Sequence, residues 1–165
     1  MNYSELVQLW NKGREKWRDY EFEVGKIASF VHKYFLDKLE INTEEKQKYL
    51  LLIPLKEKDN EKLRTTWYAP YACVEFVDRG WANVGLLLLI EINENTWPKK
   101  QFLFTLSIKK SDDKWLIKIA EDGIEHIISS NFQNEELEPL WDEFVSLLKF
   151  QTINQLENWL VSKWN

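Results

Sequence analysis

Apolar and small side chains recur three and four residues apart from the start of the chain: Leu6, Trp10, Gly13, Trp17, Tyr20, Val24, Ile27, Val31 and Tyr34. That spacing puts them on one stripe of a helix about four heptads long. Phe30 and Phe35 widen the stripe, and Ser4 is the expected N-cap. Gly13 and Gly25 each cost up to about 1 kcal/mol against alanine inside a helix, so a bend or break at either would leave two helices. The repeat also suits a coiled coil, and pairing of two copies through it stays open. Trp10, Trp17 and Tyr20, however, are bulkier than the Leu, Ile and Val that such seams prefer. The reading adopted is a long helix laid across a sheet.

The middle of the chain changes period. Val84–Ile92 (VGLLLLIEI) is the longest apolar run, bounded by Asp78-Arg79-Gly80 and Asn93-Glu94-Asn95. A short aliphatic run between turn signals predicts a buried strand. Further strands are expected at Lys48–Lys56, where Pro54 suggests a sheet edge, and at Tyr71–Asp78, Gln101–Lys109 and Lys114–Ala120. Short connections between neighbours imply antiparallel pairing. Period two then sorts the faces. Val84, Leu86, Leu88, Ile90 and Ile92 share one wholly apolar face with Phe102, Phe104, Leu106, Ile108, Trp115, Ile117 and Ile119. The other face is mixed: Leu87, Leu89, Leu103 and Leu116 with Glu91, Thr105, Ser107 and Lys118.

Helical spacing returns after Glu121-Asp122-Gly123. Ile124, Ile127 and Ile128 suggest a helical turn, and Asn131 or Asn134 caps the helix that carries Leu137, Trp141, Phe144, Leu147 and Leu148. Pro139 is tolerable only in the first turn of that helix. Thr152 with Gln155 matches a capping box and opens a last helix bearing Leu156, Trp159, Leu160 and Trp164. The whole reads as one α+β domain over residues 1–165, helical at 4–42, sheet at 48–120 and helical again at 124–164. In it an antiparallel four- to five-stranded meander is packed on one face by a long N-terminal helix and two C-terminal helices.

Composition narrows the class. The 165 residues suit a single domain, and nine Trp, nine Phe and six Tyr supply a large aromatic core. Cys73 is the sole cysteine, so neither an intrachain disulfide nor a cysteine-based metal site can form. The N-terminus lacks the continuous apolar segment of a signal peptide, and 84–92 falls well short of the roughly 20 residues that span a bilayer. A soluble cytoplasmic protein with no membrane association is expected. The net charge is −5, and residues 121–165 hold nine acids against only Lys149 and Lys163. Such a surface repels nucleic acid and favours a basic protein partner, although acids in the first turn of a helix also have a structural use.

Candidate chemistry is sparse. No phosphate-binding glycine loop, zinc-protease helix, nucleophile elbow or calcium loop occurs. His32 and His126 are the only histidines, each expected to satisfy a local hydrogen bond, and Cys73 is expected to be an inert core residue. Glu91, with Glu75 or Asp78 and with Lys118 nearby, is a weak candidate for a metal-dependent, nuclease-like hydrolase. Its structural alternative is a strand-end acid that is hydrated or paired with Lys118. Trp17, Tyr20, Phe104 and Trp115 would line a pocket for an apolar or aromatic ligand between sheet and helix. A packed core would use the same residues. Trp81 and Trp97 fall in connections beside Arg79, Lys99 and Lys100, the mixture found at protein-binding hot spots. The expectation is a small non-enzymatic binding or regulatory protein, a monomer or homodimer, requiring no metal and no cofactor.

Overall fold

A computed structural model describes residues 2–41, 49–55, 68–90 and 100–164, without the side chains of residues 159, 160, 163 and 164. Helix α1 runs unbroken over Tyr3–Lys38. Its cap is Asn2 rather than Ser4. Asn2 Oδ1 accepts the Glu5 amide at 2.9 Å, and Glu5 Oε2 accepts the Asn2 amide at 2.9 Å. This reciprocal box satisfies two of the donors that a helix start leaves free. Neither glycine breaks the helix. Gly25 lies where a 3₁₀ turn, Pro70–Cys73, lays its backbone on α1, and a Cβ there would sit 2.9 Å from Tyr71 N. Gly13 faces open space.

Six strands follow: β1 (Leu50–Ile53), β2 (Glu75–Phe76), β3 (Ala82–Ile90), β4 (Lys100–Ser111), β5 (Lys114–Ile119) and β6 (His126–Ser129). They form one antiparallel sheet in the order β1-β3-β4-β5-β6, with β2 sharing the β1 side of β3. β1 is thus an edge strand ending at Pro54, as the proline suggests. The expected strand at 71–78 shrinks to β2, because Pro70 opens the 3₁₀ turn and that turn buries Cys73 against the core. Arg79 and Gly80 both hold positive φ and close the β2–β3 hairpin. Gly85 lets β1 approach β3 closely: a Cβ there would lie 2.7 Å from Ile53 O.

The register confirms the sorting of the two faces. Val84 pairs with Leu106, Leu86 with Phe104, Leu88 with Phe102, and Ile108 with Ile117, and all are buried under the helices. Ile90 departs from this face and is exposed. On the other face Leu51, Ile53, Leu87 and Leu89 make a separate apolar cluster with Tyr68 and Leu103. Farther along that face the buried Ser107 donates to Asn83 Oδ1 at 2.7 Å, so its hydroxyl is not stranded.

The C-terminal third departs from expectation twice. Residues 126–129 form β6, not a helical turn. Only Ile128 of the three isoleucines is buried, and β6 satisfies the free edge of β5. Helix α2 then runs continuously over Glu138–Trp164 after a 3₁₀ turn at Asn134–Leu137, so there is one C-terminal helix and not two. Thr152 caps nothing. Its Oγ1 donates back to Leu148 O at 2.7 Å, inside the helix. Pro139 is the second residue of α2, where its missing amide does no harm. Phe144 joins the layers, with ring centroids 4.7 Å from Phe35 of α1 and 4.9 Å from Phe104 of β4. Burying a side chain of that size contributes about 1.5–3 kcal/mol. Among the described residues, no helix is long and apolar enough to cross a membrane.

Candidate functional site

The sheet does not reach the whole of α1. Val24, Ile27 and Val31 are fully buried, and Tyr20 is the last residue held firmly. Its hydroxyl donates to Gly80 O at 3.0 Å and accepts the Lys110 amide at 3.1 Å. Its ring stacks 5.6 Å from Phe76 and 6.0 Å from Trp115. Lys110 adds an exposed ion pair with Glu23 at 2.9 Å, which contributes at most about 1 kcal/mol. Among the described residues, the helix before Tyr20 overhangs the sheet, and Trp17 meets Phe76 edge to face with ring centroids 4.3 Å apart.

This overhanging arm carries the same stripe as the buried half. Tyr3 is 81%, Leu6 51%, Val7 38%, Leu9 60%, Trp10 67% and Trp17 57% exposed. Heptad positions counted back from the buried Val24 and Ile27 place all six on or beside the seam. An open hollow of about 600 Å³ lies at its base, lined by Arg14, Trp17, Arg18, Glu21 and Phe76 among others. The end of α2 repeats the pattern, with Phe150, Ile153, Leu156 and Val161 exposed. Sequence periodicity found the α1 stripe and Leu156 of α2, but not Phe150, Ile153 or Val161, nor where the sheet ceases to cover α1.

Of the residues singled out as a partner-binding set, the three that are described, Trp81, Arg79 and Lys100, do not share one surface. Trp81 is half-buried on the outer sheet face, with Lys118 Nζ 4.9 Å and Lys109 Nζ 5.8 Å from its ring centroid. Contacts of this kind are worth about 0.5–1 kcal/mol each at exposed sites. Lys118 Nζ also donates to Glu121 O at 2.6 Å. Arg79 is exposed at the tip of the adjacent hairpin. Lys100 pairs with Ile90 at the far end of the β3–β4 ladder, about 27 Å away by strand rise. Trp97 and Lys99 lie outside the described residues, as does Glu91.

The described hydrolase candidates lie nearer one another but on separate strands: Glu75 and Lys118 share one cross-strand row through Asn83 and Ser107, three strand spacings or about 14 Å apart. Glu75 faces Asn83 on β3, Asp78 sits in the hairpin turn, and Lys118 is on β5. Among the described residues no three His, Cys, Asp or Glu side chains gather closely enough to hold a metal ion. Trp17, Tyr20 and Trp115 form one run of rings through Phe76. Phe104 belongs instead to the cluster around Phe144. Cys73 is buried, with its Sγ 3.6 Å from Ala69 O.

The histidines lie at opposite edges of the sheet. His32 Nε2 is 2.9 Å from Leu50 O at the β1 edge. On β6, His126 Nε2 is 2.6 Å from Glu143 Oε2, with the two side chains 11% and 13% exposed. Glu143 Oε1 accepts the Ile124 amide at 3.1 Å. One carboxylate therefore ties the edge strand to α2. Glu136 does similar work, accepting Ser129 N, Ser129 Oγ and Gln133 N. Burial pushes its carboxyl up, but these donors outweigh burial and hold it below the ordinary value. Glu138 ion-pairs with Lys38 at 2.6 Å beside the buried Tyr34 ring. Its carboxyl is lowered by that hydrogen bond, and the Lys38 ammonium is raised by it. Burial, reinforced by Glu138, pushes the Tyr34 hydroxyl up. Part of the acidic excess is thus structural.

Comparison with protein-family models, with curated proteins and with solved structures finds no significant match to this chain.

Proposed function

We propose that this chain is a non-catalytic binding protein that works through protein–protein contact, and that the overhanging arm of α1 is its contact surface. The observation that carries the reading is the exposed stripe Leu6-Trp10-Trp17 flanked by Val7 and Leu9, on a helix whose stripe is fully buried farther along at Val24, Ile27 and Val31. Scattered exposed leucines need no explanation, but a continuous apolar face on a helix does. Covering Trp10 alone would remove on the order of 100 Å² or more from water and contribute about 2–3 kcal/mol. Helices recognised in this way present anchors at i, i+3, i+4 and i+7; Leu6, Leu9 and Trp10 stand at i, i+3 and i+4, Gly13 leaves a notch at i+7, and Trp17 follows at i+11. The Trp81 corner is a weaker contact, since two lysines already occupy its neighbourhood.

The test is capture from a lysate of the native host with the tagged chain, read by mass spectrometry. Wild type, Trp10→Glu and Trp81→Ala are compared after matching their circular dichroism. Partners recovered by wild type are expected to persist with Trp81→Ala and to vanish with Trp10→Glu. Equal recovery by all three refutes the arm as the contact surface.

A further inference from the structure

We infer that the occupant of the arm is a second copy of this chain, with the two α1 arms packed antiparallel about a two-fold axis. The inference rests on the arm being a protein contact surface and adds the identity of the partner.

The geometry selects the direction. The exposed stripe continues the face with which α1 sits on the sheet, drifting only about 20° per heptad. A partner helix on that stripe therefore occupies the layer that the sheet occupies farther along. In a parallel pair the partner's α1 would run into the sheet. In an antiparallel pair each arm fills the space beside the other copy's sheet and both sheets stay clear.

The side chains select the register. Gly13 sits at a seam position of an exposed helix, with no atom within 4 Å of where its Cβ would be. It costs up to about 1 kcal/mol there, and no described residue packs against the space it leaves. Setting Trp10 against the partner's Gly13 supplies the missing use, a large ring over a notch. A two-fold axis then repeats that contact and brings Leu6 against the partner's Trp17. Leu6 thereby reaches the open hollow bounded by Trp17 and Phe76. The same register places the positive N-terminal end of each α1 beside Asp19 and Glu21 of the partner subunit.

The area suffices. At about 150–250 Å² per aromatic side chain, Tyr3, Trp10 and Trp17 expose roughly 400 Å², and Leu6, Val7 and Leu9 add roughly 200 Å². Two copies therefore bury on the order of 1,200 Å², the lower end of what specific interfaces use. Residues 3–21, the span that this register pairs, carry Lys12, Arg14, Lys16 and Arg18 against Glu5, Glu15, Asp19 and Glu21. The paired spans are therefore neutral overall, and added salt changes the dimer little.

The experiment is sedimentation equilibrium of the full chain from 1 to 200 µM at low and high salt. A spin label on Ser4→Cys adds distances, since buried Cys73 will not react. Wild type is expected to dimerise about equally at either salt concentration, with labels about 25 Å apart. Trp10→Glu should be monomeric with an unchanged circular dichroism spectrum. Gly13→Leu should weaken the dimer at least tenfold while the monomer melts no lower, a combination that a purely structural role of Gly13 would not give. A wild type still monomeric at 200 µM overturns the inference, although partners captured through Trp10 would leave the arm a contact surface for another protein. Labels closer than about 15 Å overturn the antiparallel arrangement. A dimer indifferent to Trp10→Glu but abolished by Leu156→Glu places the interface on α2 and overturns the inference as well.

Discussion

Replacing each helical glycine of α1 by alanine should move stability in opposite directions. In a helix interior the change is worth about 0.8–1 kcal/mol in favour of alanine. At Gly13 nothing opposes that gain, because a new Cβ meets no atom within 4 Å. At Gly25 the new Cβ lies 2.9 Å from Tyr71 N, 3.1 Å from Tyr71 Cα and 3.3 Å from Pro70 C. Those are backbone atoms of a turn whose Cys73 is fully buried, so no side chain can swing aside. Ordinary contact needs about 3.5–4.0 Å, so the turn must retreat by roughly half an ångström or more. Overpacking of that kind costs about 1–3 kcal/mol. The balance is a loss of up to about 2 kcal/mol for Gly25→Ala and a gain approaching 1 kcal/mol for Gly13→Ala. For a chain of this length these become a fall and a rise of a few degrees in melting temperature. Urea unfolding at low protein concentration, followed by far-ultraviolet circular dichroism, measures both. If Gly25→Ala is stabilised as much as Gly13→Ala, the turn does not rest on α1 and the reasoning fails.

Glu143→Ala should cost about 1–3 kcal/mol in the same assay, because it strands the half-buried His126 Nε2, while the exposed Ile124 amide turns to water. Hydrogen exchange should then rise selectively in β6, and a uniform rise would count against the tie between strand and helix. The lowered carboxyls of Glu136 and Glu138 set the acid limb of stability. A depressed folded pKa adds stability above the ordinary value of 4.5 that is lost as pH falls through the folded value. Between about pH 5 and pH 3 the urea midpoint should therefore fall less steeply in Glu136→Gln than in wild type, and parallel slopes would refute the assignment.

The sheet and the two core helices can be read from periodicity because a pleated strand and a helix repeat differently. Leu86, Leu88, Phe104 and Ile117 fall on one face by alternation alone, and the turn residues at 78–80 and 111–113 separate the strands. β6 could not be read this way. Ile124, Ile127 and Ile128 fit a helical step, and only the unpaired edge of β5 decides that four residues extend instead. Thr152 with Gln155 has the form of a helix start, but the same hydroxyl can bond back to Leu148 O and let α2 continue. A four-residue pattern does not distinguish the two outcomes. Among site residues, Trp81 was visible as a loop tryptophan, whereas its lysine neighbours come from two other strands and depend on register.

Hydrophobic patterning by itself determined that this chain builds an antiparallel meander with helices on its greasy face, because periods of 2 and 3.6 are local properties that no packing partner alters. It also determined that the stripe on α1 runs from Leu6 to Tyr34. Only the tertiary structure decided how much of that stripe is core. Leu6 and Trp10 differ from Val24 and Ile27 in no chemical respect that a pattern registers. They differ in whether the sheet lies beneath them, and the sheet ends at Phe76 and Trp115, under Tyr20.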